Sequence, residues 1–269
     1  MTLLDTDAVV LHSADYLESS RILRLATREA GVQSVLARGA RSSRKRFGSA
    51  MGLFAEGQAQ IRIKPGRDLH TLERFDVLRI RTGLAAELGR FAAASAFAEL
   101  VMRVVHDESA PRVYDGMLRS FDTIAAAEPS ETVSVALGAI WQLVSEVGFS
   151  PSMESCAECH APLRPEDDAT FSHLSGGVLC ERCGMRAAGG RRLPPSARRT
   201  IAAWLQPGDA PFDASIPPTV SGLSKAESKA HQRLLREFIT HHLPDNRVMR
   251  AYAVWEQATL LSPAAEREV

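Results

Sequence analysis

The four cysteines of this 269-residue chain form two pairs with the same spacing, Cys156-x-x-Cys159 and Cys180-x-x-Cys183. A CxxC turn lets two thiolates grip one metal ion, and two such turns complete a tetrahedron of sulfur ligands. We therefore predict a structural Zn²⁺ site that uses every cysteine of the protein. Four protein ligands leave no open position for a water molecule, so the metal is expected to fold residues 151–190 and not to catalyse a reaction.

Other interpretations of the cysteine segment are open from the sequence. Two redox-active CxxC motifs would require the strand-to-helix junction of a βαβ unit, which the pattern does not predict. His160 adjoins a cysteine and offers an imidazole in place of a thiolate, although four thiolates already suffice. Several cations near the second pair would either contact phosphate or be ordinary surface charge: Arg182, Arg186, Arg191 and Arg192.

A second segment whose residue types suit ligand binding runs from Arg38 to Arg46. It holds five cations in nine residues, with no acid among them. Its small polar residues predict a loop, where no neighbour neutralises the charge. Such a cluster attracts a polyanion, most plainly a nucleic-acid backbone; a solvated charge run is the alternative. With two cations of a later strand, the predicted DNA-binding residues are Arg38, Arg41, Arg44, Lys45, Arg46, Arg62 and Lys64.

Nearby aromatic side chains are candidates for stacking on bases. Phe47 and Phe54 flank the basic run and would stack if they were exposed. For Phe54 in particular, the barrel core is the expected position.

The charge of the chain is unevenly distributed. Lys and Arg total 32 and Asp and Glu total 32, so the net charge is zero. Residues 1–81 nevertheless hold 14 cations against 9 acids, and residues 82–269 hold 18 against 23. Because the N-terminal part is about +5 and carries the basic run, polyanion binding is expected there.

Five short segments in the N-terminal part have the composition of β-strands, and the fourth alternates most cleanly. They comprise residues 7–13, 19–27, 32–37, 57–64 and 69–81. A sheet this small removes its exposed edges by closing on itself. We therefore predict an OB-type β-barrel over residues 1–81, with an SH3-like barrel as the alternative. Arg62 and Lys64 fall on one face of the fourth strand.

The rest of the chain predicts an α-helical domain of about twice that size, which makes the fold α+β and multidomain. Its first part spans residues 82–150, the zinc module spans 151–190, and its second part spans 191–269. Ser224-x-x-Glu227 is a capping box that predicts the start of a late helix. Further helices are predicted over residues 84–105, 114–127, 131–147, 196–205 and 246–260.

No catalytic motif is present: the sequence has no P-loop, GxGxxG, GxSxG or HExxH. Asp167-Asp168 is most simply a solvated pair, and His241-His242 suits the C-terminal dipole of a helix better than a metal. We expect a protein that is not an enzyme. The N-terminus lacks the features of a signal peptide and no segment is long enough to span a bilayer, so a cytoplasmic, nucleoid-associated location without a membrane partner is expected.

Taken together, several segments resemble the RecO family of bacterial DNA repair proteins. The resembling residues are Val9–His12, the run at 38–47, Leu53-Phe54, Leu234–Phe238 and His241–Leu243. The basic run and the cysteine quartet, in this order and separation, are its most specific features. Not every RecO has the four cysteines, and this chain has the zinc-bearing pattern.

The resemblance implies an N-terminal OB-fold and a helical domain with an embedded zinc module. It also implies binding to single- and double-stranded DNA, annealing of complementary strands and association with RecR. Together these proteins would help RecA replace single-stranded DNA-binding protein in recombinational repair. The alternative is a zinc-stabilised scaffold for protein interactions with incidental nucleic-acid contact. A metal-dependent nuclease is a third possibility, although the sequence offers no acidic cluster to hold Mg²⁺.

Overall fold

The computed structural model describes residues 2–40, 51–106, 108–206, 222–243 and 248–261. Its N-terminal part is a closed barrel in the order β1-β2-β3-β5-β4. The strands are β1 (Thr2–Tyr16), β2 (Ser20–Thr27), β3 (Gly31–Ala37), β4 (Glu56–Ile63) and β5 (Leu69–Arg79). β4 closes the barrel by pairing with β1, and β3 pairs with β5 in parallel. This topology confirms the OB-type barrel over the SH3-like one.

Strand β1 contributes to two hydrophobic cores because successive side chains of a strand point to opposite faces. Ala8 and Val10 fill the interior of the barrel. Val9 and Leu11 point outward and pack with the helices. One side of the outer barrel wall is therefore buried, and a ligand must approach the barrel from another side.

The remaining helices and strands surround a second core. The helices are α1 (Thr82–Ala85), α2 (Leu88–Val104), α3 (Pro111–Ala126), α4 (Thr132–Glu146), α5 (Glu181–Gly184), α6 (Pro195–Leu205), α7 (Lys225–His242) and α8 (Arg250–Leu261). The strands β6 (Ala169–Ser172), β7 (Gly177–Leu179) and β8 (Arg191–Leu193) form a small antiparallel sheet in the order β7-β6-β8. Trp141, Trp204 and Trp255 are buried in this core. None of the described helices has the length and apolar character needed to cross a bilayer.

Local sequence signals explain where several helices begin and end. The capping box predicted at Ser224 and Glu227 is present and starts α7. Gly148, at a φ of +95°, ends α4: its N–H donates to Ser145, and the next N–H donates to Val144. The single helix predicted over residues 84–105 is instead two helices, because the Glu87 carboxylate caps a new helix start.

Phe54 joins the barrel to the helices. Its ring centroid lies 5.8 Å from that of Phe91 on α2 and 5.1 Å from that of Phe121 on α3. The expectation that Phe54 would fill the barrel interior is wrong, because it belongs to the core that the barrel wall shares with the helices. Since this position is buried, Phe54 does not offer its ring to a base.

Arg81 follows β5 and forms a buried ionic contact at the same junction. Its guanidinium donates to Glu56 of β4 and to Asp122 of α3, each at 2.6 Å, and to the Phe54 carbonyl at 3.3 Å. The Arg81 side chain is only 1 % exposed. One cation thus links a strand, a helix and the segment that precedes β4.

Candidate metal centre and nucleic-acid interface

The four cysteine sulfurs converge on one point. Sulfur atoms of Cys156, Cys159, Cys180 and Cys183 all lie within 4.8 Å of one another. The Sγ atoms of Cys159 and Cys180 are 3.8 Å apart. A tetrahedral ion with metal–sulfur bonds of about 2.3 Å has sulfur–sulfur edges of about 3.8 Å. The quartet therefore fits a tetrahedral metal ion of the zinc type.

Backbone hydrogen bonds shape both cysteine turns. In the first, the His160 N–H donates to the Cys156 carbonyl at 2.9 Å, and His160 adopts a left-handed φ of +59°. In the second, the Gly184 N–H donates to the Cys180 carbonyl at 2.7 Å. His160 is exposed and lies outside the cluster formed by the described residues, so it is a neighbour and not a ligand.

Two of the thiols have widely different pKa values when no cation is bound. Burial raises the pKa of Cys156, but backbone hydrogen bonds from Cys159 and Cys180 outweigh it and bring the pKa to about 6. Burial and hydrogen bonds with the Cys180 and Cys159 thiols raise the pKa of Cys183 to about 12. The thiols alone therefore do not all ionise at neutral pH. A divalent cation favours four thiolates, since metal binding displaces their protons.

The redox interpretation of the CxxC pairs has one feature in its favour. Cys180 stands between β7 and the single helical turn α5, at a strand-to-helix junction. The surrounding sheet is antiparallel, however, and so does not form a βαβ unit. The convergence of both pairs on one point favours metal binding.

Glu237 of α7 anchors the small sheet β6–β8, which lies next to the cysteines in the chain. Its two carboxylate oxygens accept hydrogen bonds from Arg191 at 2.6 Å each, and one of them accepts from Arg233 at 3.0 Å. Burial raises the pKa of Glu237, but the hydrogen bonds from Arg191 and Arg233 prevail and lower it. The charge of Arg191 is thus directed at this carboxylate, which decides against phosphate as its main partner.

The remaining polar candidates from the sequence make contacts within the protein. Arg192 pairs with Asp168 at 2.7 Å, and both side chains are exposed. His242 ends α7, and its ring centroid lies 4.3 Å from that of Phe238. Burial lowers the pKa of His242. His242 is therefore a packed, neutral imidazole at the edge of the core.

Three of the seven cations predicted to bind DNA lie within the described residues. Arg38 is exposed directly after β3. Arg62 is exposed on β4 and pairs with Glu73 of β5 at 2.8 Å. Lys64 is half-buried where the β4–β5 turn begins. The other four, together with the stacking candidate Phe47, lie outside the described residues: Arg41, Arg44, Lys45 and Arg46.

The described cations of the barrel divide into two groups. Six arginines pair with carboxylates: Arg21, Arg28, Arg62, Arg74, Arg79 and Arg81. Four cations have no carboxylate partner among the described residues: Arg24, Arg38, Lys64 and Arg67. Charges without an internal partner are the ones available to an external anion.

Strand register places Arg24 and the β4–β5 turn on the same side of the barrel, with Arg38 directly after β3. Arg24 of β2 is paired with Ser34 of β3, and Ser34 is paired with Leu69, two residues after Arg67. A type II turn holds Arg67, because its N–H donates to the Lys64 carbonyl at 3.3 Å and Gly66 has a φ of +68°. We call this surface, formed by the outer faces of β2 and β3 and by the β4–β5 turn, the basic wall. Arg24 and Arg67 were not among the sequence candidates, since only the register brings them to it.

A different part of the outer wall is acidic. A pocket of about 290 Å³ on the outer faces of β1, β4 and β5 is lined by Asp5, Asp7, Glu29 and Asp76. Arg74 also lines it but pairs with Asp76. The barrel is therefore polarised, and a polyanion is attracted to the basic wall and repelled from the acidic pocket.

Comparison with known proteins identifies the family. A family model described as Recombination protein O N terminal matches residues 1–81, and one described as Recombination protein O C terminal matches residues 85–250. The DNA repair protein RecO of Anaeromyxobacter sp. (strain Fw109-5) is 36% identical, over 89% of this chain and 91% of its own length. RecO of Symbiobacterium thermophilum is 32% identical, over 75% and 79%, and RecO of Rubrobacter xylanophilus is 27% identical, over 91% and 94%. The chain therefore belongs to the RecO family of DNA repair proteins, which gives it a role in recombinational DNA repair.

Proposed function

We propose that this protein is a non-enzymatic recombination mediator. It binds single- and double-stranded DNA through its barrel and promotes the annealing of complementary strands. With RecR, it assists RecA in replacing single-stranded DNA-binding protein. The observation that carries the proposal is the basic wall, where Arg24, Arg38, Lys64 and Arg67 lack carboxylate partners among the described residues on an OB-type barrel.

The physical basis of annealing is the screening of phosphate repulsion. Two complementary strands repel each other through their backbones, and cations that hold the phosphates reduce this repulsion. The bases stay free to pair, so the reaction needs no general acid, base or nucleophile. Phosphate contacts carry no sequence information, and weak sequence preference follows.

We propose Zn²⁺ as the metal of the cysteine quartet. The ion supplies structural cross-linking when bound, because four thiolates saturate its coordination. The chain's own contribution is to orient the thiolates by the two backbone turns and to attach the module to α7 through Arg191 and Glu237.

One observation favours a protein-docking function alongside DNA binding. A groove of about 660 Å³ lies between β8, α6 and α7. Its lining includes the apolar side chains of Leu193, Ala197, Leu223 and Leu234. The lining also includes Arg191, Arg192, Lys229 and Arg233, so the groove suits an apolar protein segment that carries acidic residues. Under the scaffold alternative, DNA contact would be incidental and the partners RecR and single-stranded DNA-binding protein would bind independently of the basic run.

The test is the salt dependence of binding to a single-stranded oligonucleotide. If about five phosphates are neutralised, log K falls against log[salt] with a slope near −3.5. Replacing Arg44, Lys45 and Arg46 by Ala removes about three contacts, so the slope is expected to become about −1.4, with slower annealing.

A matched control removes three exposed arginines of the second half that lie outside the basic run and outside the cation group near the second cysteine pair: Arg112, Arg199 and Arg250. This variant is expected to keep the slope and the annealing rate of the unmodified protein. If both triple variants bind, anneal and depend on salt alike, the basic run has no part in DNA binding.

A further inference from the structure

The tip of the β1–β2 hairpin exposes a large aromatic side chain. Tyr16 ends β1 and is 42 % exposed. Leu17, next in the chain, has a left-handed φ of +53° and is also exposed. A single exposed apolar residue is ordinary on a protein surface. Tyr16 is of functional interest because of its position relative to the basic wall.

The register shows which face of the sheet Tyr16 occupies. Leu23 of β2 points into the barrel core, so its neighbour Arg24 points outward. Arg24 is paired with His12 of β1, and paired residues share a face. Tyr16 lies four positions after His12 on the same strand, in unbroken register, and therefore also faces outward. The tyrosine thus belongs to the same outer wall as Arg24.

The same register brings Tyr16 close to Arg38. Tyr16 is paired with Ser20, and the next residue of β2, Arg21, is paired with Ala37. Continuing this antiparallel register places Arg38 beside Ser20, two strands from Tyr16. At a strand spacing of about 4.8 Å, the two backbones are about 10 Å apart.

Charge on this wall is available for a ligand. Arg24 and Arg38 have no carboxylate partner among the described residues, and the buried Nε of Arg24 has no hydrogen-bond partner. Proteins that hold single-stranded nucleic acid combine backbone-tracking cations with aromatic rings on which bases stack. The outer face of β1–β3 has both.

We propose that Tyr16 stacks on a base of single-stranded DNA while Arg24 and Arg38 hold the adjoining phosphates. This inference rests on the proposed function and names the aromatic platform of its binding site. In duplex DNA the bases are already stacked within the helix, so Tyr16 serves single strands selectively. Phosphate contacts, by contrast, serve both forms of DNA.

The experiment measures binding by fluorescence anisotropy, with a labelled oligothymidylate and a labelled duplex at several salt concentrations. Tyr16→Ala is expected to weaken binding to the oligothymidylate by about 5- to 150-fold, the range measured for loss of one stacked base. Duplex affinity and the salt slope should stay unchanged, since no charge is removed. Tyr16→Phe keeps the ring and should bind both DNAs within about twofold of the unmodified protein.

Two further variants separate stacking from charge and from general surface change. Arg24→Ala is expected to make the single-strand slope shallower by about 0.7, because one phosphate contact is lost. Leu174→Ala is the control, since Leu174 is 79 % exposed and lies in the cysteine-bearing half. It should bind both DNAs as the unmodified protein does.

Three results would overturn the assignment. If Tyr16→Ala binds oligothymidylate as tightly as Leu174→Ala does, Tyr16 does not stack on a base. If Tyr16→Ala loses equal affinity for duplex and single strand, the role of Tyr16 is structural. Oligonucleotides that contain 5-bromodeoxyuridine can be photocrosslinked to the protein. If the crosslinks map to the helices and not to the β1–β2 hairpin, the single strand does not bind at Tyr16. In all three the unmodified protein still binds DNA. If it binds neither DNA, the proposed function fails, and this inference fails with it.

Discussion

The buried guanidinium of Arg81 provides a sharp test of how the barrel is held to the helices. Arg81→Ala removes two charge-assisted hydrogen bonds of 2.6 Å and leaves Glu56 and Asp122 without this partner. Removing one member of a buried ion pair costs about 3–5 kcal/mol, mainly because the other charge stays desolvated. The two acids here are 23 % and 33 % exposed, so water replaces part of what is lost. We expect the free energy of unfolding to fall by about 3 kcal/mol, near the lower end of that range.

Arg79 is a matched control because it lies two residues away and pairs with the same Asp122, at 2.8 Å. Its side chain is 56 % exposed, and exposed pairs contribute about 0–1 kcal/mol. Arg79→Ala should therefore lower the free energy of unfolding by no more than about 1 kcal/mol. Burial is the main difference between these two contacts with Asp122.

Urea unfolding followed by tryptophan fluorescence gives both values on one scale. Adding Asp122→Asn to the Arg81→Ala variant should restore part of the stability, because it removes one of the stranded charges. Equal losses for Arg79→Ala and Arg81→Ala, within about 0.5 kcal/mol, would refute the argument that burial sets the magnitude.

Three other outcomes follow from the structure. Purified protein should contain one zinc ion per chain, measured by inductively coupled plasma mass spectrometry. The Cys183→Ser variant should lose this zinc and show faster amide hydrogen exchange in β6–β8. A variant that keeps its full zinc content would refute the ligand set. Burial lowers the pKa of His231 to about 4, below the ordinary 6.5, so the unfolded state binds the proton more readily. The free energy of unfolding should therefore fall by about 3 kcal/mol in total as pH drops from about 6.5 to 4, and His231→Gln should flatten that part of a pH series of urea titrations. A Cβ on Gly138 would lie 2.9 Å from Cδ1 of Trp204. Gly138→Ala should therefore lower the free energy of unfolding, measured in urea, by about 1–3 kcal/mol. A more stable variant would show that the α4–α6 contact accommodates the added methyl group.

Local patterns predict the elements of this protein more reliably than their ends. Alternating residues and turn chemistry indicate all five barrel strands, and the capping box at Ser224 marks the start of α7. The first strand is nevertheless longer than predicted. Residues 2–6 of β1 are held as a strand by pairing with β4, which lies more than fifty positions away in the chain. The small sheet β6–β8 was missed because its three- and four-residue strands are too short to show a period.

The candidate sites show the same division between local and long-range information. The cysteine spacing predicts the metal cluster directly, because each CxxC turn is a local structure. The pairing of Arg62 with Glu73 depends on the alignment of β4 with β5, which alternation alone does not set. Arg24 and Tyr16 look unremarkable in the sequence for the same reason. Their common face follows from strand register.

The position of Phe54 connects the start of β4 mechanically to the helices. The chain leaves the barrel at Arg38 and re-enters it through Phe54, whose ring is wedged between Phe91 and Phe121. The segment that leads into β4 thus has a hydrophobic anchor among the helices. A force that tilts the barrel away from the helices must therefore separate three phenylalanine rings.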